Sequence, residues 1–259
     1  MIKRKMVNKT LCKNSNLPQN KVTHIICPDE PKIINSFLKI NIVPVVFKPN
    51  MFLKKEEASH ADMNFCNIES NFFINNSDLK NRLFDYNVYN AYIFENTYNS
   101  MVKYPESACL NVCVLNDYII CNEKYIDYNV LNKAKEFKKK VINVNQGYCK
   151  CSICVVDETS IITEDISIYE KCKEHLDCLL IKKGHILLEG YDYGFIGGAT
   201  FKTDKNNLFF CGNINQHPDY LKIKNFCQSR GVNINNLFIN DVNFKLTDYG
   251  SPMPLFEEI

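Results

Sequence analysis

Cys149, Cys151 and Cys154 crowd together in the run GYCKCSIC. A thiol beside a histidine or another cation ionises more readily than a free cysteine and becomes a nucleophile. Cys-x-x-Cys is also a zinc-ligand spacing, and it is a spacing that redox pairs use. A fourth reading is three small residues packed in a strand of a cysteine-rich chain. In an extended strand, Cys149 and Cys151 share one face and Cys154 takes the other. That alternation weakens a three-cysteine metal cluster, and no metal is expected. His60-Ala61-Asp62 is the second group with chemistry in it. In a strand these two side chains point the same way, so His60 could move a proton while Asp62 orients it or grips a cation. A loop histidine and a turn-forming aspartate are the alternative, because so short a motif recurs by chance. Gly197-Gly198 permits close backbone approach to a ligand or to a neighbouring strand, but no phosphate-cradling pattern accompanies it. His217-Pro218-Asp219 reads as a helix start, and Gly250-Ser251 as a turn.

These residues need a scaffold, and the chain repeats itself. Five apolar dyads recur, each followed by polar residues: Ile25-Ile26, Phe72-Phe73, Ile119-Ile120, Ile161-Ile162 and Phe209-Phe210. A helix-like segment follows each, over roughly 30–40, 77–86, 128–139, 165–176 and 218–229. A strand-like run closes each unit, at 42–47, 91–94, 141–144, 179–181 and 237–239. A further strand precedes four of the dyads, at 62–68, 108–115, 152–156 and 196–202, joined to it by a turn rich in Asn, Asp and Ser. The unit is therefore strand, strand, helix, strand. The first unit lacks its leading strand, and the only spare one lies at 243–255. Borrowing it closes a ring of five ββαβ units about a pseudo-fivefold axis. Such a ring converges equivalent positions on its axis. Counting back from each dyad brings His60, Asp62, Glu106, Cys109, Cys149, Cys151, Gly197 and Ala199 toward one mouth. The segment 48–59 is the longest insertion between units, either a lid over that mouth or an ordinary surface loop.

Composition narrows the function classes. The chain has 259 residues, 46% of them hydrophobic, with 31 Lys+Arg against 29 Asp+Glu. A formal net charge of +2 gives no footprint for nucleic acid or a membrane surface. No apolar run is long enough to span a bilayer, and the basic stretch 1–20 has no apolar core, so it reads as a flexible tail preceding a single domain over 21–259. Thirteen cysteines, an odd number set mostly in apolar runs, point to free thiols and the cytoplasm. Nothing in the chain sets the oligomeric state.

The segments QGYCKCSICVVDETSIITED (146–165), YDYGFIGGATF (191–201), HPDY (217–220) and HADM (60–63) carry a resemblance. They resemble a clostridial-type, bacterial family of uncharacterised proteins assigned to the guanidino-group-modifying, or pentein, fold. That resemblance implies an α/β propeller of five units. In the enzymes of that superfamily a cysteine attacks the guanidinium carbon, while a histidine and acidic residues move protons and grip the substrate. The nucleophile there lies near the C-terminus. Here the last cysteine is Cys227, and 248–254 holds none. The expected catalytic set therefore moves to Cys151, His60 and Asp62, with Glu106, Cys154, Gly197 and Gly198 as substrate contacts and no cofactor. Two functions follow: a thiol-dependent hydrolase or transferase acting on a small cationic guanidino or amidine compound, or a non-catalytic pentein that binds a small molecule or a protein.

Overall fold

The computed structural model describes residues 8–88, 92–95, 101–238 and 243–259. In chain order it begins with β1 (Lys9–Leu11), β2 (Val22–Pro28), α1 (Pro31–Lys39) and β3 (Val43–Phe47). Next come α2 (Ala61–Asn64), β4 (Phe65–Ile68), β5 (Asn71–Ile74), α3 (Ser77–Asp85) and β6 (Tyr92–Glu95). They are followed by β7 (Cys113–Val114), β8 (Tyr118–Cys121), α4 (Tyr128–Glu136) and β9 (Lys140–Asn143). Then stand β10 (Ile153–Val155), β11 (Ser160–Thr163), α5 (Ile166–Cys172) and β12 (Asp177–Leu180). The chain finishes with β13 (Thr200–Asp204), β14 (Asn207–Phe210), α6 (Tyr220–Gln228), β15 (Asn233–Asn236) and β16 (Met253–Glu258).

Each apolar dyad lies in the middle strand of a sheet. Such a strand is covered on both faces, which is why two adjacent apolar residues replace strict alternation. Nine of the ten dyad side chains are buried, Phe209 being the partly exposed exception. Four sheets share one order, β4-β5-β6, β7-β8-β9, β10-β11-β12 and β13-β14-β15. In each, an antiparallel hairpin is followed by a helical crossover to a parallel third strand. The crossover helices bury residues four apart: Ile33 and Phe37, Leu79 and Leu83, Val130 and Ala134, Ile168 and Cys172, Ile223 and Cys227. Four-residue spacing returns to the same helix face, so each helix lays one stripe on its sheet. Asn76, Asp127 and Asp165 cap three of them through side-chain oxygens.

The fifth sheet has the order β1-β16-β2-β3. The C-terminal strand, expected over 243–255, forms only over Met253–Glu258; it fills the place of the missing leading strand, and Met253 and Pro254 pair antiparallel with Ile26 and Ile25. The expected flexible tail over 1–20 is corrected from residue 8 onward. β1 pairs with β16, and Cys12 and Asn14 to Leu17 are buried. Asn14 and Asn16 both donate to the Val114 carbonyl, and Asn67 donates to that of Cys12. Short polar side chains that satisfy buried carbonyls tie this segment down despite its hydrophilic composition. Met1 to Val7 lie outside the described residues.

Three local expectations shift. The leading strands start later than expected: 62–64 is helical, and only Cys113–Val114 of 108–115 is strand. α6 begins after Pro218, with Asp219 at its N-cap. The strand expected at 237–239 is instead Asn233–Asn236, parallel to β14, an edge strand whose polar sequence hides it; Ile239 lies outside the described residues. Among the described residues no helix is long and apolar enough to cross a membrane.

Candidate active site

The residues ahead of the leading strands are not ladder strands because their backbone groups bond to neighbouring units instead. Cys149 N–H donates to the Asn111 carbonyl at 3.2 Å, and Gly198 N–H to that of Cys151 at 2.9 Å. Tyr249 and Ser251 N–H both donate to the Gly198 carbonyl, and Asp62 N–H donates to Gly250 at 3.1 Å. The Asn111 amide reaches Met63 Sδ at 3.4 Å, linking the two remaining segments. Five segments from distant parts of the chain thereby meet. Gly198 and Gly250 allow this close approach. A Cβ on Gly198 would stand 1.9 Å from Asp248 Oδ1, and one on Gly250, whose φ is +70°, would stand 2.2 Å from His60.

Cys151 stands where these segments converge. Its thiol donates to Asp62 Oδ2 at 2.9 Å and accepts from Asn111 Nδ2 at 3.0 Å. Asn111 Oδ1 accepts from the backbone N–H groups of Lys150 and Cys151, at 2.7 and 3.1 Å, so one asparagine fixes both loop and sulfur. His60, just before α2, completes the group. Single side-chain donor atoms of His60, Asp62 and Cys151 all lie within 4.8 Å of one another. The expected proximity of His60 and Asp62 is therefore present, but a helical turn delivers it, not strand alternation.

A cavity of about 260 Å³ opens over the sulfur. His60, Cys151 and Asp248 line it, together with Glu57, Tyr148, Tyr191, Asp192 and Phe195 among others. Its charged lining is acidic, with no Lys or Arg among the lining residues. Glu57 accepts from the Tyr148 hydroxyl at 2.9 Å and from that of Tyr191. Asp248 is buried, and its carboxylate accepts from the N–H groups of Phe195 and Gly250, at 2.9 and 2.8 Å. Burial pushes the Cys151 thiol well up from its ordinary range; Asp62 and Asp248 push it further, and the Asn111 bond opposes them. Burial also raises the Asp248 carboxyl, which His60 counters and Asp62 reinforces.

Of the other expected contacts, none lines the cavity. Glu106 is exposed in a short 3-10 turn, Glu106–Ala108. Cys154 packs in the apolar core with Val156, Ile162 and Phe210. Gly197 serves packing: a Cβ there would stand 2.2 Å from the Lys150 carbonyl. Gly198 likewise makes room for Asp248. Cys149 is buried and donates to the Gln146 carbonyl. The reading from sequence missed Asn111, Asp248, Glu57 and the aromatic walls. Glu57 sits in the 48–59 insertion, read as either a lid or an ordinary surface loop, and Asp248 in the closing segment; their positions were the available signals.

Glu164 is a further buried carboxylate, close enough to Asp248 to feel its charge. Its Oε1 accepts from Ile196 N–H at 3.0 Å, while Oε2 is buried without a partner. Burial, assisted by Asp248 and Asp165, pushes this carboxyl up to about 8. Between its unfolded value and 8 the native state holds a proton that the unfolded chain releases, so stability falls as pH rises through that window. Glu164→Gln keeps the neutral shape and is expected to stabilise the protein at pH 9 by roughly 2–5 kcal/mol, with little effect at pH 4.5. Urea melts at both pH values check this; an equal effect at both would refute it.

Residues 26–253 match a family of unknown function, DUF6873, and the chain belongs to that family. No curated protein matches it. The fold is mixed α/β and matches solved pentein-fold structures. Inosamine-phosphate amidinotransferase StrB1 from Streptomyces griseus aligns with a TM-score of 0.59 and 6% identity, covering 97% of each chain. SxtG, an amidinotransferase from Microseira wollei in the saxitoxin biosynthetic pathway, aligns at 0.55 and 10% identity, over 86% of this chain and 91% of that one. DDAH from Pseudomonas aeruginosa, solved in complex with citrulline, aligns at 0.54 and 6% identity, over 92% and 100%.

Proposed function

We propose that this protein is a thiol-dependent enzyme that modifies a guanidino or amidine compound, with Cys151 as nucleophile. The observation that carries this reading is a cysteine at the floor of an acidic, aromatic-walled cavity, bonded to a carboxylate and near a histidine. Amidinotransferases and DDAH share the fold, which supports the class of substrate. The five units are read as a ring about a pseudo-fivefold axis forming one domain, supported by four sheets of one order, a fifth that repeats it in β16-β2-β3 with β1 added, and the contacts among their leading segments. Cysteines outside any disulfide among the described residues support a cytoplasmic setting.

The chemistry follows from charge. A guanidinium ion entering the cavity balances Asp62 and Asp248, the two groups that hold the proton on Cys151. The thiol then gives its proton to His60, directly or by way of Asp62, and sulfur attacks the planar carbon. His60 returns a proton to the departing amine as the C–N bond breaks, leaving an amidino group on sulfur. Water or a second amine then attacks that carbon and gives a proton to His60, sulfur leaves as thiolate, and the product is a ureido compound where ammonia was the group lost, or a new guanidine where an amine attacks.

The strong upward push on the Cys151 thiol favours a second reading, a non-catalytic pentein that binds a small cation in the same cavity. Incubation with a panel of guanidines and amidines, followed by mass spectrometry, separates the two. Turnover, with an acid-stable adduct on the Cys151 peptide that Cys151→Ser abolishes, is the expected result. Ligands that bind without turnover or adduct would leave the binding reading and remove the enzyme.

A further inference from the structure

The same floor holds a donor set that suits a metal ion. One imidazole nitrogen, one carboxylate oxygen and one thiol sulfur, from His60, Asp62 and Cys151, lie within 4.8 Å of one another, and all three residues are buried. Ligand atoms bound to a tetrahedral ion at 2.0–2.3 Å stand ~3.5 Å apart, so a small side-chain adjustment suffices. An independent observation points the same way. Asp62 Oδ1 is buried with no hydrogen-bond partner, although the residue is only 1% exposed. A buried carboxylate oxygen without a donor leaves its lone pairs open to a cation. Asn111 meanwhile donates to the sulfur and accepts from two backbone N–H groups, the kind of outer contact that orients a ligating thiolate. Asp248 and Glu57 add negative charge around the position.

We propose that His60, Asp62 and Cys151 form a binding site for one zinc ion, with the remaining coordination open to the cavity. A mixed sulfur, nitrogen and oxygen set suits zinc better than the hard cations calcium or magnesium. Binding releases the Cys151 proton to solvent and forms a zinc–sulfur bond, with no change of oxidation state. The ion occupies the place of the cationic substrate and ties up the sulfur, so zinc and a guanidino ligand exclude each other. This site uses the residues of the proposed function but does not depend on catalysis.

The test is titration of the metal-free full chain, at ~10 µM, with Zn²⁺ against a chromophoric chelator, and with Co²⁺ followed by absorbance. We expect one equivalent of tightly bound zinc and a sulfur-to-cobalt charge-transfer band in the near ultraviolet. Cys151→Ser should abolish that band and weaken zinc binding at least ~100-fold, as should His60→Gln, with circular dichroism confirming that each variant folds. If Cys151→Ser does not fold, His60→Gln and the wild-type cobalt spectrum carry the test. No stoichiometric binding, or binding unchanged by these substitutions, overturns the site. Zinc binding without guanidino turnover would refute only the enzyme, and turnover without zinc binding would refute only the metal site.

Discussion

A chain ending at Ser251 is expected to lose its cooperative unfolding transition. β16 is an interior strand of its sheet, bonded to β1 on one side and β2 on the other. Met253, Leu255 and Phe256 are buried, in one cluster with Ile26, Val45, Phe65 and Phe72. Burying three such side chains contributes roughly 5–9 kcal/mol, which is comparable to the total stability of an ordinary domain. Further losses add to this. Glu257 Oε2 accepts from the N–H groups of Gln19 and Asn20, both at 2.7 Å, and β1 has no other strand to pair with among the described residues. The ends of the described chain therefore share one sheet. Thermal circular dichroism of the truncated chain checks this. A sharp melt within a few degrees of the full-length protein would show that the sheet does not need its borrowed strand.

The pairing of the C-terminal strand with β2 was legible in the sequence because it follows from counting. Five dyads imply five units, and a first unit without a leading strand needs one from elsewhere. The crossover helices were legible for the same reason, since four-residue spacing of Ile33 and Phe37, or Leu79 and Leu83, survives whatever the tertiary context. Asn233–Asn236 was not, because an edge strand built from backbone hydrogen bonds needs no apolar pattern. The site divided along similar lines. Repeat offsets brought His60, Asp62 and Cys151 to one place, as the structure does. The same offsets placed Glu106 there, and it is exposed, because the segment ahead of β7 is a turn and not a strand. Asn111 and Asp248 act through backbone N–H groups and a buried sulfur, contacts that only the packed loops create. Residue types alone carry no sign of such partnerships. The acidic cavity also draws on Glu57, from an insertion outside the repeat. Its contribution depends on where the loop lies, which no periodicity encodes.

Cys151 in the metal-free protein is expected to react slowly with iodoacetamide at pH 7, and Asp62→Asn is expected to accelerate that reaction by roughly 10- to 100-fold. The sign follows from the contacts. Burial already raises the Cys151 pKa, and Asp62 raises it further by accepting the thiol proton and placing negative charge against the sulfur. Thiolate is the reactive form, so wild-type alkylation should climb with pH through the neutral range instead of levelling off. An asparagine removes the charge and can donate to the thiolate, so the Cys151 pKa moves down and the reaction at pH 7 speeds up. Binding of cations should change in the opposite sense. A haloacetamidine carries a positive charge where the corresponding haloacetamide is neutral. Wild type should therefore prefer the cationic reagent strongly, because the reagent offsets Asp62 and Asp248 as it approaches, and Asp62→Asn should lose most of that preference. Peptide mapping after timed alkylation reads both reagents at Cys151. A wild-type sulfur that already reacts fast with the neutral reagent, or an Asp62→Asn sulfur that reacts more slowly with it, would show that Asp62 does not hold the proton. Equal rates for the two reagents in wild type would show that the acidic cavity does not select a cation, and the guanidino reading would go with it.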